Sequence, residues 1–169
     1  MTPPPVWAVS LAYWLHMLAT VAWIGSLVTL SVLVIPAARR VLDPKAYADL
    51  LGQLRRRLDP LSWASLLVLA ATGLFQMSIN PNYHGFLAIN NRWAIAILLK
   101  HLVFLVMVVI SAYLTWGVIP RLQRSALLLA HGKDVPEASH FLQQEALLLR
   151  TNLLLGLLVL ALTALARAS

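Results

Sequence analysis

Three ionisable side chains stand inside stretches of this 169-residue chain that otherwise carry no charge: His16, Lys100 and His101. The first lies in "WLHMLATVAWIG" (14–25), the other two in "ILLKHLVFL" (97–105). An ionisable group at the centre of a membrane span costs on the order of 2.5 kcal/mol or more, and it marks a functional site by default. Neutral imidazole is a good metal ligand and an axial ligand of haem iron. Two imidazoles facing each other across a helical bundle, with a gap between, would hold a haem from both sides. The plainer alternative is a hydrogen bond to a hydroxyl on a neighbouring helix, and Thr20 and Thr72 are the residues placed for it.

The elements that must position these groups follow from the distribution of charge. Residues 7–35, 61–79 and 151–166 contain no Asp, Glu, Lys or Arg, and 93–119 contain only Lys100. Charged residues make up 11% of the chain, against about 25% in a soluble domain. A helix needs roughly 20 apolar residues to cross about 30 Å of hydrocarbon. The pattern predicts an all-α integral membrane protein with one domain over 1–169. Its four transmembrane helices form an up-down bundle, with spans at about 7–35, 61–79, 93–119 and 147–167. "PKAYADLLGQLRRRLDP" (44–60) reads as a short helical extension that stops at Asp59-Pro60. Cysteine is absent, which excludes disulfides, thiolate metal sites and cysteine nucleophiles. No Gly-rich phosphate loop or nucleophile elbow is present.

The basic residues cluster beside the spans. Arg39, Arg40, Lys45, Arg55, Arg56 and Arg57 lie between spans 1 and 2, and Arg121, Arg124 and Lys133 between spans 3 and 4. The 80–92 connector carries only Arg92. The positive-inside rule puts the two basic connectors in the cytoplasm, and both termini on the periplasmic side of the inner membrane. The net charge of +7 is explained by orientation, and no nucleic-acid partner is expected.

The chain also repeats itself. "VIPAARR" (34–40) closes span 1 and "VIPRLQR" (118–124) closes span 3, while "LLVLAATGL" (66–74) recurs as "LLVLALTAL" (157–165). Two echoes in the same order indicate a duplicated helix hairpin, with its axis along the membrane normal. Trp7 and Trp93 suit the outer interface. His16 follows the first by nine residues and His101 the second by eight, so both lie roughly 12–14 Å below their anchors. Spans 1 and 3 are diagonal neighbours in such a bundle. Aligning the "VIP" echoes pairs His16 with Lys100, and a one-residue slip pairs it with His101. His101 is the expected second ligand, and Lys100 the partner of a propionate or substrate. Gly73, with Ala70, Ala71 and Gly156, would leave room for a macrocycle. Met17, Met77 and Met107 lie in three spans at different depths and do not form one Cu(I) site. His84, His131 and His140 fall in connectors and read as ordinary polar residues.

"WLHMLATVAWIGSL" (14–27) resembles the first-span signature of the copper-resistance D (CopD) family: an aromatic, Leu-His, then Trp-small-Gly. "NRWAIAILLKHLVFLVMVVISAYLTWGVIPRL" (91–122) resembles that family's third span. The related HemJ group of four-span protoporphyrinogen oxidases has a similar first-span histidine and third-span lysine, which map to His16 and Lys100. This sequence adds His101 directly after the lysine. The resemblance implies copper passage and haem-linked redox chemistry. The leading expectation is a b-type haem protein, with haem b held between spans 1 and 3 by His16 and His101. Its role would be electron transfer, with a quinone or periplasmic redox partner near the 80–92 connector, and a homo-oligomer is compatible with it. The alternatives are copper transport over His16, Met17, His101 and Met107, and a HemJ-like oxidase using His16 and Lys100.

Orientation is directly testable. Reporter fusions within 41–54 and within 82–88 should fall on opposite sides of the membrane, the first in the cytoplasm. A cytoplasmic 82–88 connector would invert the assignment.

Overall fold

The computed structural model describes residues 4–83, 85, 91–131, 133 and 135–168. Four helices account for nearly all of them: α1 (Val6–Val41), α2 (Pro44–Ser78), α3 (Arg92–Leu129) and α4 (Ala138–Ala168). Each is long and apolar enough to cross a membrane, and there is no strand among the described residues. The outward faces are aliphatic: Val21, Leu67, Leu102 and Leu154 are all largely exposed, as expected of a surface that meets lipid. The α1–α2 and α3–α4 hairpins make the most extensive contacts. One end of the bundle carries both termini and the α2–α3 connector (the terminal end). The other carries the two Arg-rich connectors (the basic end).

Local chemistry explains where the helices start. The Asp43 carboxylate accepts from the Lys45 and Ala46 amides at 2.9 Å each, with Pro44 in the first turn. Asn91 does the same for α3, accepting from the Ala94 amide at 2.7 Å. Asp43 thus satisfies two, and Asn91 one, of the otherwise orphaned amides of a helix start. The helical extension at 44–60 does not stop at Pro60. It continues without interruption into the second span, with Pro60 inside α2. Proline removes one backbone hydrogen bond. The i,i+4 pair of Arg55 Nη1 and Asp59 Oδ1 at 3.4 Å braces the turn just before it.

The repeat is structural as well as sequential. Just before Pro36 and Pro120 the helix widens into a π-helical turn, Thr29–Val34 in α1 and Leu114–Val118 in α3. In each the Ile amide donates to a leucine carbonyl five residues back, Ile35 to Leu30 and Ile119 to Leu114. A proline ring clashes with the carbonyl four residues earlier, and widening the turn is how a membrane helix absorbs it. The second echo also survives: Thr72 donates to the Val68 carbonyl, and Thr163 to that of Val159.

Lipid tails are as apolar as leucine, so the helices are held by close packing and interhelical hydrogen bonds rather than by hydrophobic drive. At the centre Met107 is 0% exposed and packs beside Gly156, where a Cβ would meet the Met107 Cε at 3.3 Å and Ile24 at 3.8 Å. Trp23 of α1 meets Phe104 of α3 edge-to-face at 5.9 Å, crossing the diagonal. Asn152, fully buried on α4, donates to Ser111 of α3 at 2.9 Å. At the basic end Glu145 of α4 is 0% exposed and accepts from Tyr47 of α2 at 2.8 Å and from Arg39 of α1 at 3.5 Å. One carboxylate thus ties three helices together. At the terminal end Trp93 is buried against Met77, Ala96 and Ala166. Trp7 is the exposed one of the pair.

Candidate functional site

His16 is half-buried on α1, facing α2. Its Nδ1 lies 2.8 Å from Thr72 Oγ1. Thr72 donates its single hydroxyl proton to the Val68 carbonyl, so toward His16 it can only accept. The imidazole therefore carries its proton on Nδ1, and the Nε2 lone pair is not used by Thr72. Thr20, the other hydroxyl in reach, donates instead to the His16 backbone carbonyl at 2.7 Å. Gln76, one turn beyond Thr72, donates to the Ala12 carbonyl at 3.2 Å and fixes α1 against α2 at this level. Gly73 is where the ring needs clearance: a Cβ there would stand 3.5 Å from His16 Cε1.

His101 has the same protonation by a different route. Its Nδ1 is 2.7 Å from the Ile97 carbonyl, and a carbonyl only accepts, so Nδ1 again bears the hydrogen. A metal-ligating histidine almost always donates its other ring N–H to such a group, which fixes tautomer and orientation. His101 lines a narrow terminal-end cleft of about 10 Å³ with Met77, Tyr83, Trp93 and Ile97, room for about one water. Met77 lies five residues from Thr72, about 7.5 Å along α2 toward the terminal end. The two imidazoles therefore address different stretches of α2: His16 the Thr72–Gly73 turn, His101 the Met77 turn.

Lys100 is half-buried beside His101. It and Arg167 are the cations whose fields reach His16, and Arg167 also lies over the Tyr13 ring at 5.5 Å. No acidic residue occurs in 1–42, 60–133 or 146–169, so the terminal half has no acidic side chain to pair with Lys100 or Arg167.

The other residues singled out by type fall as follows. Met17 is 59% exposed on the lipid-facing surface and cannot serve a path through the bundle. Met107 is buried at the centre. Ala71 also faces outward, and the space beside Gly156 is filled by Met107 and Ile24. His131 donates to its own helix at the Leu127 carbonyl, 2.7 Å away, and His140 lies edge-on to Phe141. His84 lies outside the described residues. Among the described residues no group of three or more His, Cys, Asp or Glu could hold a metal ion. Met77 is the residue that spacing did not mark. Its signal is position, since it lies four residues, about one turn, beyond Gly73 on the same side of α2.

Gly73 gives a clean test of the His16 setting. Gly73→Ala should be tolerated, because 3.5 Å is ordinary van der Waals contact. Gly73→Leu should drive the imidazole off Thr72, seen as a shift of the His16 ring resonances in the detergent-solubilised protein. Unchanged resonances in Gly73→Leu would remove Gly73 from the site.

A family model described as copper resistance protein D matches residues 52–166. The match takes in Thr72, Met77, Lys100 and His101, and leaves α1 with His16 outside it. No curated protein and no solved structure shows a significant match. With more than half of the sequence matched and four helices built to span a bilayer, the chain belongs to the copper resistance protein D family, as an integral membrane protein.

Proposed function

We propose that the protein handles Cu(I) within the membrane, taking the ion at the terminal end through His101 and Met77 and passing it to His16. The observation that carries this reading is that both imidazoles are held through Nδ1. Nδ1 of each is engaged, in His16 with Thr72 and in His101 with the Ile97 carbonyl, and in this reading the metal is taken by Nε2. His101 has a thioether, Met77, in the same cleft. An imidazole and a thioether suit soft Cu(I). Family membership supports copper as the cargo. With the terminal end periplasmic, as the positive-inside rule gives, the ion would enter from the periplasm of the inner membrane. Met17 drops out of the path, and Met77 takes its place.

Rings held through Nδ1 equally suit axial ligation, and that favours a second reading: haem b between His16 and His101, with electron transfer to a quinone or periplasmic partner. The packing does not fit a macrocycle. The Trp23–Phe104 pair closes the diagonal between α1 and α3, and the cleft at His101 holds about 10 Å³. A porphyrin would need the helices to separate. The HemJ-like oxidase reading, with Lys100 in place of His101, meets the same obstacle.

One preparation separates the readings. The detergent-purified wild-type protein should be colourless, and should bind Cu(I) in competition with a chromogenic chelator. His101→Ala and Met77→Leu should each weaken that binding about tenfold or more, the loss expected for one ligand or its support. A coloured protein with a low-spin haem spectrum that His16→Ala abolishes would replace copper with haem. Cu(I) binding indifferent to both substitutions would remove the His101–Met77 site.

A further inference from the structure

At the basic end, far from the histidines, a cleft of about 130 Å³ opens between all four helices. Its walls are mainly aliphatic, with a smaller polar side. Leu42, Leu122 and Leu142 form the apolar side, and Arg39, Tyr47 and Ser125 the polar side. Tyr47 is committed to Glu145. Ser125 is 5% exposed and lines the cleft. Arg39 leaves its Nε without a partner, and Arg55, 7% exposed and two turns beyond Tyr47 on α2, leaves Nε and Nη2 unpartnered. Among these buried groups three guanidinium nitrogens lack an acceptor, against one free carboxylate oxygen, Glu145 Oε1. Donors exceed acceptors, and a buried donor left unmade costs about 1–3 kcal/mol, more when charged.

The rim has the same character. Arg40, Lys45, Arg121 and Arg124 are exposed and adjacent in sequence to residues that line the cleft. The exposed carboxylates Asp43, which caps α2, Asp49 and Glu137 are also adjacent in sequence to lining residues, and the basic residues outnumber them. The cleft also lies where the apolar stretches give way to the basic connectors, the depth at which lipid headgroups sit. Basic pockets between membrane helices at that level are suited to anionic headgroups.

We propose that this cleft binds the headgroup of an anionic phospholipid, its phosphate oxygens accepting from Arg39 and Ser125 and its glyceryl carbons resting on Leu42, Leu122 and Leu142. The volume is close to that of a cavity known to hold benzene, about 150 Å³, so it takes the headgroup and leaves the acyl chains outside along the helices. The basic rim supplies the charge complementarity, and the apolar wall distinguishes a lipid from a free phosphate ion.

The test uses the full chain in uncharged detergent, with thermal unfolding followed in the presence of phosphatidylglycerol, phosphatidylcholine or inorganic phosphate. Phosphatidylglycerol should raise Tm by several degrees more than phosphatidylcholine, and inorganic phosphate should have little effect. Ser125→Leu, which fills the cleft, should abolish the difference between the two lipids, while Arg56→Gln, on an exposed position away from the cleft, should preserve it. Should Ser125→Leu fail to fold, Ser125→Ala should weaken the phosphatidylglycerol response several-fold. Equal stabilisation by both lipids overturns the proposal, as does an unaltered response in the Ser125 variant that folds. An equal rise with inorganic phosphate overturns the lipid assignment.

Discussion

A threonine hydroxyl carries one proton, and on Thr72 that proton goes to the carbonyl of Val68. Everything His16 can do follows from this. Facing an oxygen that only accepts, the imidazole places its hydrogen on Nδ1 and leaves the opposite nitrogen free to ligate. The membrane sets the stakes, because an imidazole in hydrocarbon needs a partner that water cannot supply. The neighbouring turn then does three jobs at once. Thr72 fixes the tautomer, Gly73 clears the ring, and Gln76 holds the two helices at the distance that makes both possible. His101 is held through the same ring nitrogen by a backbone carbonyl. Two different anchors thus give one chemical outcome.

The rest of the bundle keeps those anchors in register. The π-helical turns before Pro36 and Pro120 place the same defect at the same point of both repeats, so α1 and α3 reach the basic end with matching geometry. There Glu145 ties α1, α2 and α4 through Arg39 and Tyr47. Removing one partner of a buried charged pair costs about 3–5 kcal/mol, which makes that end a fixed point. The terminal end is held by packing of Trp93 on Met77 and Ala166 instead. Met77 therefore belongs both to the structural cluster and to the cleft that receives His101.

Much of this was legible in the sequence. Charge-free blocks near 20 residues announce spans without ambiguity, because hydrocarbon admits no alternative. The "VIP" echo marked a repeat that the backbone reproduces down to an Ile-to-Leu hydrogen bond. What the sequence did not carry was rotation about each helix axis. Met17 and Met77 are the same residue type in equally apolar surroundings, yet one faces lipid and the other lines a cleft. Trp93 is buried, because Ala96 and Ala166 leave room for it. Pro60 looked like a terminus, but one lost hydrogen bond does not end a helix that is packed and braced on both sides of it. His16 was matched to His101 by depth, whereas its hydrogen-bond partner, Thr72, was the plainer candidate. Glu145 passed unnoticed since its partners lie 98 and 106 residues away.

The central claim is that His16 presents an unprotonated Nε2. Nitrogen-15 NMR of histidine-labelled protein in detergent micelles tests it most directly, with His16→Ala to assign the signal. The account predicts a protonated Nδ1, a pyridine-like Nε2, and a shift confined to Nε2 when Cu(I) is added. A hydrogen on Nε2, or a Thr72→Val variant whose His16 tautomer is unaltered, would contradict it.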